Sequence, residues 1–153
     1  MIIWLTGQPA SGKTTLAKAL LERGVGDFHI DGDDLRAVQP EPYDVRGRFV
    51  NVSRAQDIAL YLHNQDRLVL VSLVSPHRGQ REWLKERADV VEVYLHTDEI
   101  RGREHYFAKH YEAPDDPDLD LDTGLLTVED CVDRIIEASG YVLGALATAP
   151  PGA

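Results

Sequence analysis

The chain reads as an α/β protein, a doubly wound and mainly parallel sheet with flanking helices. Three observations predict this. Short apolar runs alternate with stretches of helical periodicity along most of the 153 residues, as parallel strands joined by crossover helices require. Arg67 to Val74 (RLVLVSLV) is almost continuously apolar, which suits a strand covered on both faces. The N-terminus passes from an apolar run through a glycine-bounded loop into an amphipathic stretch.

That N-terminal segment is the first strand, Met1 to Thr6, followed by Gly7-Gln8-Pro9-Ala10-Ser11-Gly12-Lys13-Thr14. The eight residues fit G-x-x-x-x-G-K-[ST], the P-loop motif, and Thr15 to Leu21 continues as a helix with Leu16, Ala19 and Leu20 on one face. Strand, glycine loop and helix are the context that gives the motif meaning. Gly7 and Gly12 permit backbone angles and close approaches that a Cβ forbids. Amide N–H groups and the helix N-terminus then cradle phosphate oxygens. Gly7, Gln8, Pro9, Ala10, Ser11, Gly12, Lys13, Thr14 and Thr15 are therefore the candidate ATP cradle. Lys13 is expected to reach the β- and γ-phosphates and the Thr14 hydroxyl to hold Mg²⁺. The fold expected is that of a P-loop NTPase.

Gly24 and Gly26 end the first helix, and Asp27 to Ile30 reads as a short second strand running into Asp31-Gly32-Asp33-Asp34-Leu35-Arg36. Pro40 and Pro42 mark a loop. A helix is expected from about Arg48 to His63, with Phe49, Val52, Ala55, Ile58, Ala59 and Leu62 as its apolar face. Ser75-Pro76 closes the Arg67–Val74 strand, Arg78 to Ala88 reads as an amphipathic helix, and Val90 to Leu95 as a fourth strand. Arg101 to Pro117 is polar and speckled with aromatics, as a mobile loop over a site would be. Thr127-Val128-Glu129-Asp130 is an approximate capping box opening a helix to about Ala138. Residues 1–146 are expected to form one domain and 147–153 a frayed tail.

Composition narrows the setting. The formal net charge is −10, and Glu112, Asp115, Asp116, Asp118, Asp120 and Asp122 crowd into one stretch without a base, expected to be a solvated loop. An acidic surface argues against charge-driven, non-specific nucleic-acid binding. No apolar run reaches the length of a membrane span. The single cysteine, Cys131, excludes a disulfide framework and fits a reducing cytoplasm. His63, His77 and His110 lack metal-site spacing.

Parallel strands bring three polar clusters to one sheet edge: the P-loop, Asp31-Gly32-Asp33, and Ser72 to His77. Phosphoryl transfer needs in-line positioning, charge stabilisation and a carboxylate that orients the attacking hydroxyl. Asp33 or Asp31 can supply that carboxylate, as base or through Mg²⁺-bound water. Asp33 joins Thr14 as the candidate metal pair.

At this point the chain resembles a family. GQPASGKTTLAKAL, DGDDLR, RFVNVSR, VSLVSPHRGQRE and YEAPDDPDLDLDTGLLTVEDCV follow the order and approximate spacing of adenylyl-sulfate kinases over most of residues 1–138. The resemblance implies that Arg36, Arg48 and Asn51 contact the acceptor nucleotide, with Arg54 adding positive charge. It also implies that Ser75 occupies the position of the serine described in the family as a phosphoserine intermediate. The sequence departs from the family in the lid. The basic run and the G-F-T-G-[IV] motif, whose aromatic stacks on the acceptor's adenine, are replaced by Arg101-Gly102-Arg103-Glu104-His105-Tyr106-Phe107-Ala108-Lys109-His110-Tyr111. Arg101, and with it Arg103, is the candidate transition-state cation there. Tyr106 or Phe107 is the candidate replacement for the missing ring.

A short lid suggests an open acceptor side. On that ground the chain also looks like the compact phage kinases of this superfamily that phosphorylate 5-hydroxymethyldeoxyuridine in DNA, a step in DNA hypermodification. The first expectation is such a kinase, using ATP and Mg²⁺ on modified DNA. The alternative is an adenylyl-sulfate kinase acting on the 3′-hydroxyl of free adenylyl sulfate, and a remote one is an ATPase without an acceptor.

Overall fold

A computed structural model of the protein describes residues 1–142. The expected frayed tail, and the domain limit at residue 146, lie outside the described residues. Five parallel strands form one sheet in the order β2-β3-β1-β4-β5: β1 (Ile2–Thr6), β2 (Phe28–Asp31), β3 (Val69–Ser72), β4 (Val90–His96) and β5 (Leu119–Asp122). Among the described residues, α1 (Lys13–Glu22), α2 (Gly32–Val38), α3 (Val45–His63) and α4 (Arg78–Lys85) connect successive strands from β1 to β4, and α5 (Val128–Ser139) follows β5. From β1 the chain builds β2 and β3 on one side, then crosses back to add β4 and β5 on the other. The reversal at β1 opens a crevice at the carboxyl ends of the strands, and the P-loop leaves β1 there.

Side-chain alternation divides the core in two. Ile3 and Leu5 of β1, Leu70 of β3 and Val91, Val93 and Leu95 of β4 pack with Leu16 and Leu20 of α1 and Val132 and Ile135 of α5. Ile2 and Trp4 of β1 with Val69 and Val71 of β3 face Val52, Ala55 and Ala59 of α3 and Leu84 of α4. Trp4 is fully buried, and its indole Nε1 donates to Ser75 Oγ at 2.9 Å.

Three boundaries differ from the sequence reading, each for a local reason. α3 begins at Val45, not near Arg48, because Asp44 caps it by accepting from Gly47 N at 2.7 Å. DGDDLR, to which the sequence reading gave no helix, opens α2. Asp31 Oδ1 accepts from Asp33 N at 2.9 Å and starts α2. The acidic run is only partly loop, since its Leu-Asp-Leu-Asp alternation pairs with β4 as an edge strand and buries Leu121. Its acids have partners: Asp118 Oδ2 accepts from Glu92 N at 2.7 Å, Asp120 meets His96 at 2.6 Å, and Asp122 Oδ1 accepts from Gly124 N at 2.8 Å. At α5 the expected box is present, with Thr127 and Asp130 exchanging side-chain and backbone bonds.

β4 also carries a buried charge that its apolar pattern conceals. Glu92 is 1% exposed and pairs with Arg81 Nε at 3.0 Å and Lys85 Nζ at 2.5 Å, both on α4. The same Arg81 guanidinium donates to Ser75 O and Glu112 O, joining the end of β3 to the segment that follows β4.

Candidate active site

The phosphate loop has the backbone its glycines require. Gly12 caps α1 at φ 102°, and Gly7, at φ 155°, lies so close beneath Leu95 O that a Cβ would collide with that carbonyl. Lys13 is 8% exposed, and its Nζ donates to Gln8 O at 2.7 Å and Ser11 Oγ at 3.3 Å. Burial lowers the ammonium to about 7 from 10.5, although Asp31 and Asp33 pull it up; Arg48 and Arg103 push it further down. A cation held this way gains strongly from an arriving anion.

Beside Lys13, Thr14 Oγ1 donates to Asp31 Oδ2 at 2.7 Å, and Ser72 Oγ donates to the same oxygen at 2.8 Å. His29 Nε2 in turn lies 2.6 Å from Ser72 Oγ. Burial favours the neutral acid at Asp31. The bonds from Thr14, Ser72 and the Asp33 amide outweigh it and hold the carboxyl below the usual carboxylate range. Because Thr14 gives its proton to Asp31, its oxygen lone pairs stay available to a cation. Among the described residues no group of three or more His, Cys, Asp or Glu could hold a metal. This donor set fits an ion such as magnesium, which takes one or two protein oxygens and the rest from phosphates and water.

One cavity of about 430 Å³ contains this corner and the expected acceptor residues together: Lys13, Thr14, Asp31, Asp33, Arg36, Arg48 and Asn51 all line it. Arg48 is 5% and Asn51 1% exposed. Arg48 Nε donates to Tyr43 O at 2.9 Å and its Nη2 to Tyr106 O, while Asn51 Nδ2 donates to Gly32 O at 3.1 Å. Arg48 Nη1 and Asn51 Oδ1 have no protein partner. Arg36 sits 4.1 Å from the centre of the Tyr43 ring, and Tyr43 Oη donates to Asp33 Oδ1 at 3.0 Å. Tyr43 and Tyr106 line the cavity as a tilted pair with centroids 5.8 Å apart.

The structure places the remaining sequence candidates as follows. Asp33 makes no hydrogen bond to Thr14; its exposed carboxylate meets Tyr43 and Arg36, and Asp31 accepts from the threonine. Ser75 lines the cavity but is 1% exposed, its Oγ accepting from Trp4 Nε1 and donating to Leu73 O at 3.3 Å. Arg54 does not line the cavity. It pairs with Glu41 at 2.7 Å and donates to Gln39 O at 3.3 Å, bracing the proline loop. Arg101 lines the cavity but directs its donors to Ala10 O, Thr123 and Glu99. Arg103 also lines the cavity, and its contact is with the Tyr106 ring at 5.1 Å. Of the candidate loop, Pro9, Ala10, Gly12, Lys13, Thr14 and Thr15 line the cavity, whereas Gly7, Gln8 and Ser11 support it from behind.

Hydrogen bonds join the Arg101 to Pro117 stretch to the rest of the molecule. Gln8 Nε2 donates to Ala108 O at 3.0 Å and Gln8 Oε1 accepts from Ala108 N at 2.9 Å, engaging both backbone groups of that residue. Tyr111 Oη lies 2.8 Å from Thr6 Oγ1, and Glu112 N donates to Pro76 O at 2.9 Å. Tyr106, not Phe107, reaches the cavity. Sequence reasoning missed Tyr43 and His29, and placed Ser72 at the sheet edge without giving it a role. An aromatic just after two prolines was the signal available for Tyr43, whereas His29, which meets Asp31 through Ser72, carries no motif.

Comparison with known proteins bears on this arrangement. A family model described as Adenylylsulphate kinase matches residues 1–105. An adenylyl-sulfate kinase of Prochlorococcus marinus is 32% identical over 163 aligned positions, covering 89% of this chain and 81% of its own. One of Staphylococcus carnosus is 30% identical, covering 90% and 82%. Among solved structures, the Mycobacterium tuberculosis APS kinase in complex with AMPPNP and APS superposes with a TM-score of 0.76 at 23% identity, over 92% of this chain and 97% of that one.

Proposed function

Because this chain belongs to the adenylylsulphate kinase family, we propose that it transfers the γ-phosphate of ATP to the 3′-hydroxyl of adenylyl sulfate. It is an ATP-dependent phosphotransferase with an alcohol acceptor; the acceptor's identity and the roles of single residues are the proposal. The observation that carries it is the shared cavity. Lys13 and Thr14 meet Arg36, Arg48 and Asn51 across one space, with a buried donor and a buried acceptor lacking protein partners. A plain ATPase has no need of that second set.

The roles follow from position. Lys13 and the loop amides hold the phosphates. Thr14 and Asp31 would hold the magnesium ion that accompanies ATP, which would supply positive charge to the phosphates. Asp33, steadied by Tyr43, orients the acceptor hydroxyl and receives its proton as the new O–P bond forms and the bond to the β-phosphate breaks. Arg103, rather than Arg101, supplies charge to the transferring group. Tyr43 and Tyr106 flank the acceptor's flat ring, Tyr106 standing in for the aromatic of the absent G-F-T-G motif.

The DNA reading rested on an open acceptor side. Against it, the short lid is stitched to the P-loop, two tyrosines narrow the cavity, and the net charge is −10. Labelled ATP offered with either adenylyl sulfate or hydroxymethyluracil-containing DNA separates the readings. We expect label on adenylyl sulfate. Label on DNA alone would overturn the proposal in favour of the modified-base kinase, and hydrolysis without a phosphorylated product would overturn both.

A further inference from the structure

Position 8 is a free position of the P-loop motif, because the cradle is made by main-chain amides. Its side chain here does something unrelated to phosphate. Gln8 Nε2 donates to Ala108 O at 3.0 Å and Gln8 Oε1 accepts from Ala108 N at 2.9 Å, across 100 residues of sequence. The pair satisfies the backbone N–H and C=O of a residue that lies in no strand or helix. Meanwhile the Gln8 carbonyl accepts from Lys13 Nζ at 2.7 Å and Ser11 N at 3.2 Å. One residue therefore touches the phosphate-binding lysine through its backbone and the lid through its side chain.

Just upstream, Tyr106 O accepts from Arg48 Nη2. The stretch around Phe107 is thus held from two directions, by the acceptor wall at Arg48 and by the phosphate loop at Gln8. Its preceding 3-10 turn (Glu104–Tyr106), with Arg103 before it, brings Arg103 and Tyr106 to the cavity. The outer anchors are Arg101 on Ala10 O and Tyr111 on Thr6 Oγ1. Between them, Gln8 is the P-loop side chain that fixes the span.

We propose that Gln8 is a positioning residue that clamps the Arg101–Tyr111 segment to the phosphate loop, setting Arg103 and Tyr106 over the acceptor. Glutamine suits the task because its amide donates and accepts at once. Glutamate of equal length keeps only the bond from Ala108 N–H, methionine keeps the length and neither bond, and asparagine is one methylene short. The activity readout rests on the kinase reading above, whereas the structural readout rests on geometry alone.

The test compares wild type with Gln8→Met and Gln8→Glu by steady-state kinetics and amide hydrogen exchange, the latter with AMPPNP present. Losing both bonds should speed exchange at the Ala108 amide about tenfold or more while α1 amides keep their rates. It should raise KM for the acceptor and lower kcat, together about ten- to a hundredfold in kcat/KM, with KM for ATP within about twofold. Gln8→Glu should fall between. Unchanged Ala108 exchange in Gln8→Met, or equal rises in both KM values, would overturn the clamp. If wild type phosphorylates neither acceptor offered, the acceptor assignment fails and exchange alone judges the clamp.

Discussion

Lys13 and the two aspartates carry different physics that one motif conceals. The Lys13 ammonium is lowered to about 7 by burial, and an arriving triphosphate must raise it. Binding of AMPPNP should therefore take up protons at pH 8, seen in titration calorimetry as a heat that varies with buffer ionisation enthalpy. The same shift acts on stability. Below pH 7 both folded and unfolded chains carry the charge and the fold bears its full desolvation cost. Between about 7 and 10.5 the unfolded chain binds the extra proton, so stability from this group rises with pH. Lys13→Met should consequently abolish transfer yet exceed wild type in melting temperature by a margin that shrinks as pH rises from 7 to 10. Asp33→Asn should lower kcat by about a hundredfold or more with ATP affinity retained, as loss of a general base does. Asp31→Asn should instead shift the magnesium dependence. An unchanged rate in Asp33→Asn would move the base role away from that residue.

At the scale of elements, β4 and α4 are riveted by Arg81, Glu92 and Lys85. Removing one partner of a buried ion pair strands the others. Glu92→Ala should cost about 3–5 kcal/mol in urea unfolding. Because Arg81 also reaches Ser75 O and Glu112 O, the loss should loosen the segment after Tyr111 as well. Equal exchange protection there in mutant and wild type would confine the rivet to α4. The lid segment has partners that composition does not reveal. Its backbone groups meet Gln8, Arg48, Arg81 and Arg78, and those partners lie up to 100 residues away. Likewise β5 was hidden by its aspartates: an edge strand buries one side chain in two, and here that was Leu121 among acids.

For the whole molecule, two apolar clusters lie on opposite faces of one sheet and share its central strands β1 and β3. Neither face can open without exposing the sheet that the other shares, so unfolding should be a single transition. Trp4 lies fully buried at the sheet and Trp83 is 37% exposed on α4. Urea curves followed by tryptophan fluorescence and by far-UV circular dichroism should coincide; separated midpoints would show that the α3–α4 face melts on its own. No helix among the described residues is long and apolar enough to cross a membrane.

The phosphate loop and most of the strands and helices were legible in the chain itself, through apolar period and glycine placement, whereas α2 and β5 were not. Arg36, Arg48 and Asn51 came as acceptor candidates only through the resemblance to adenylyl-sulfate kinases. What each residue faces was not legible. Asp31 rather than Asp33 beside Thr14, Ser75 turned to Trp4, Arg54 drawn off to Glu41 and Gln8 joined to Ala108 all arise between distant segments. A motif names donors and acceptors, but a hydrogen bond goes to the nearest partner of correct geometry, and packing alone brings that partner near.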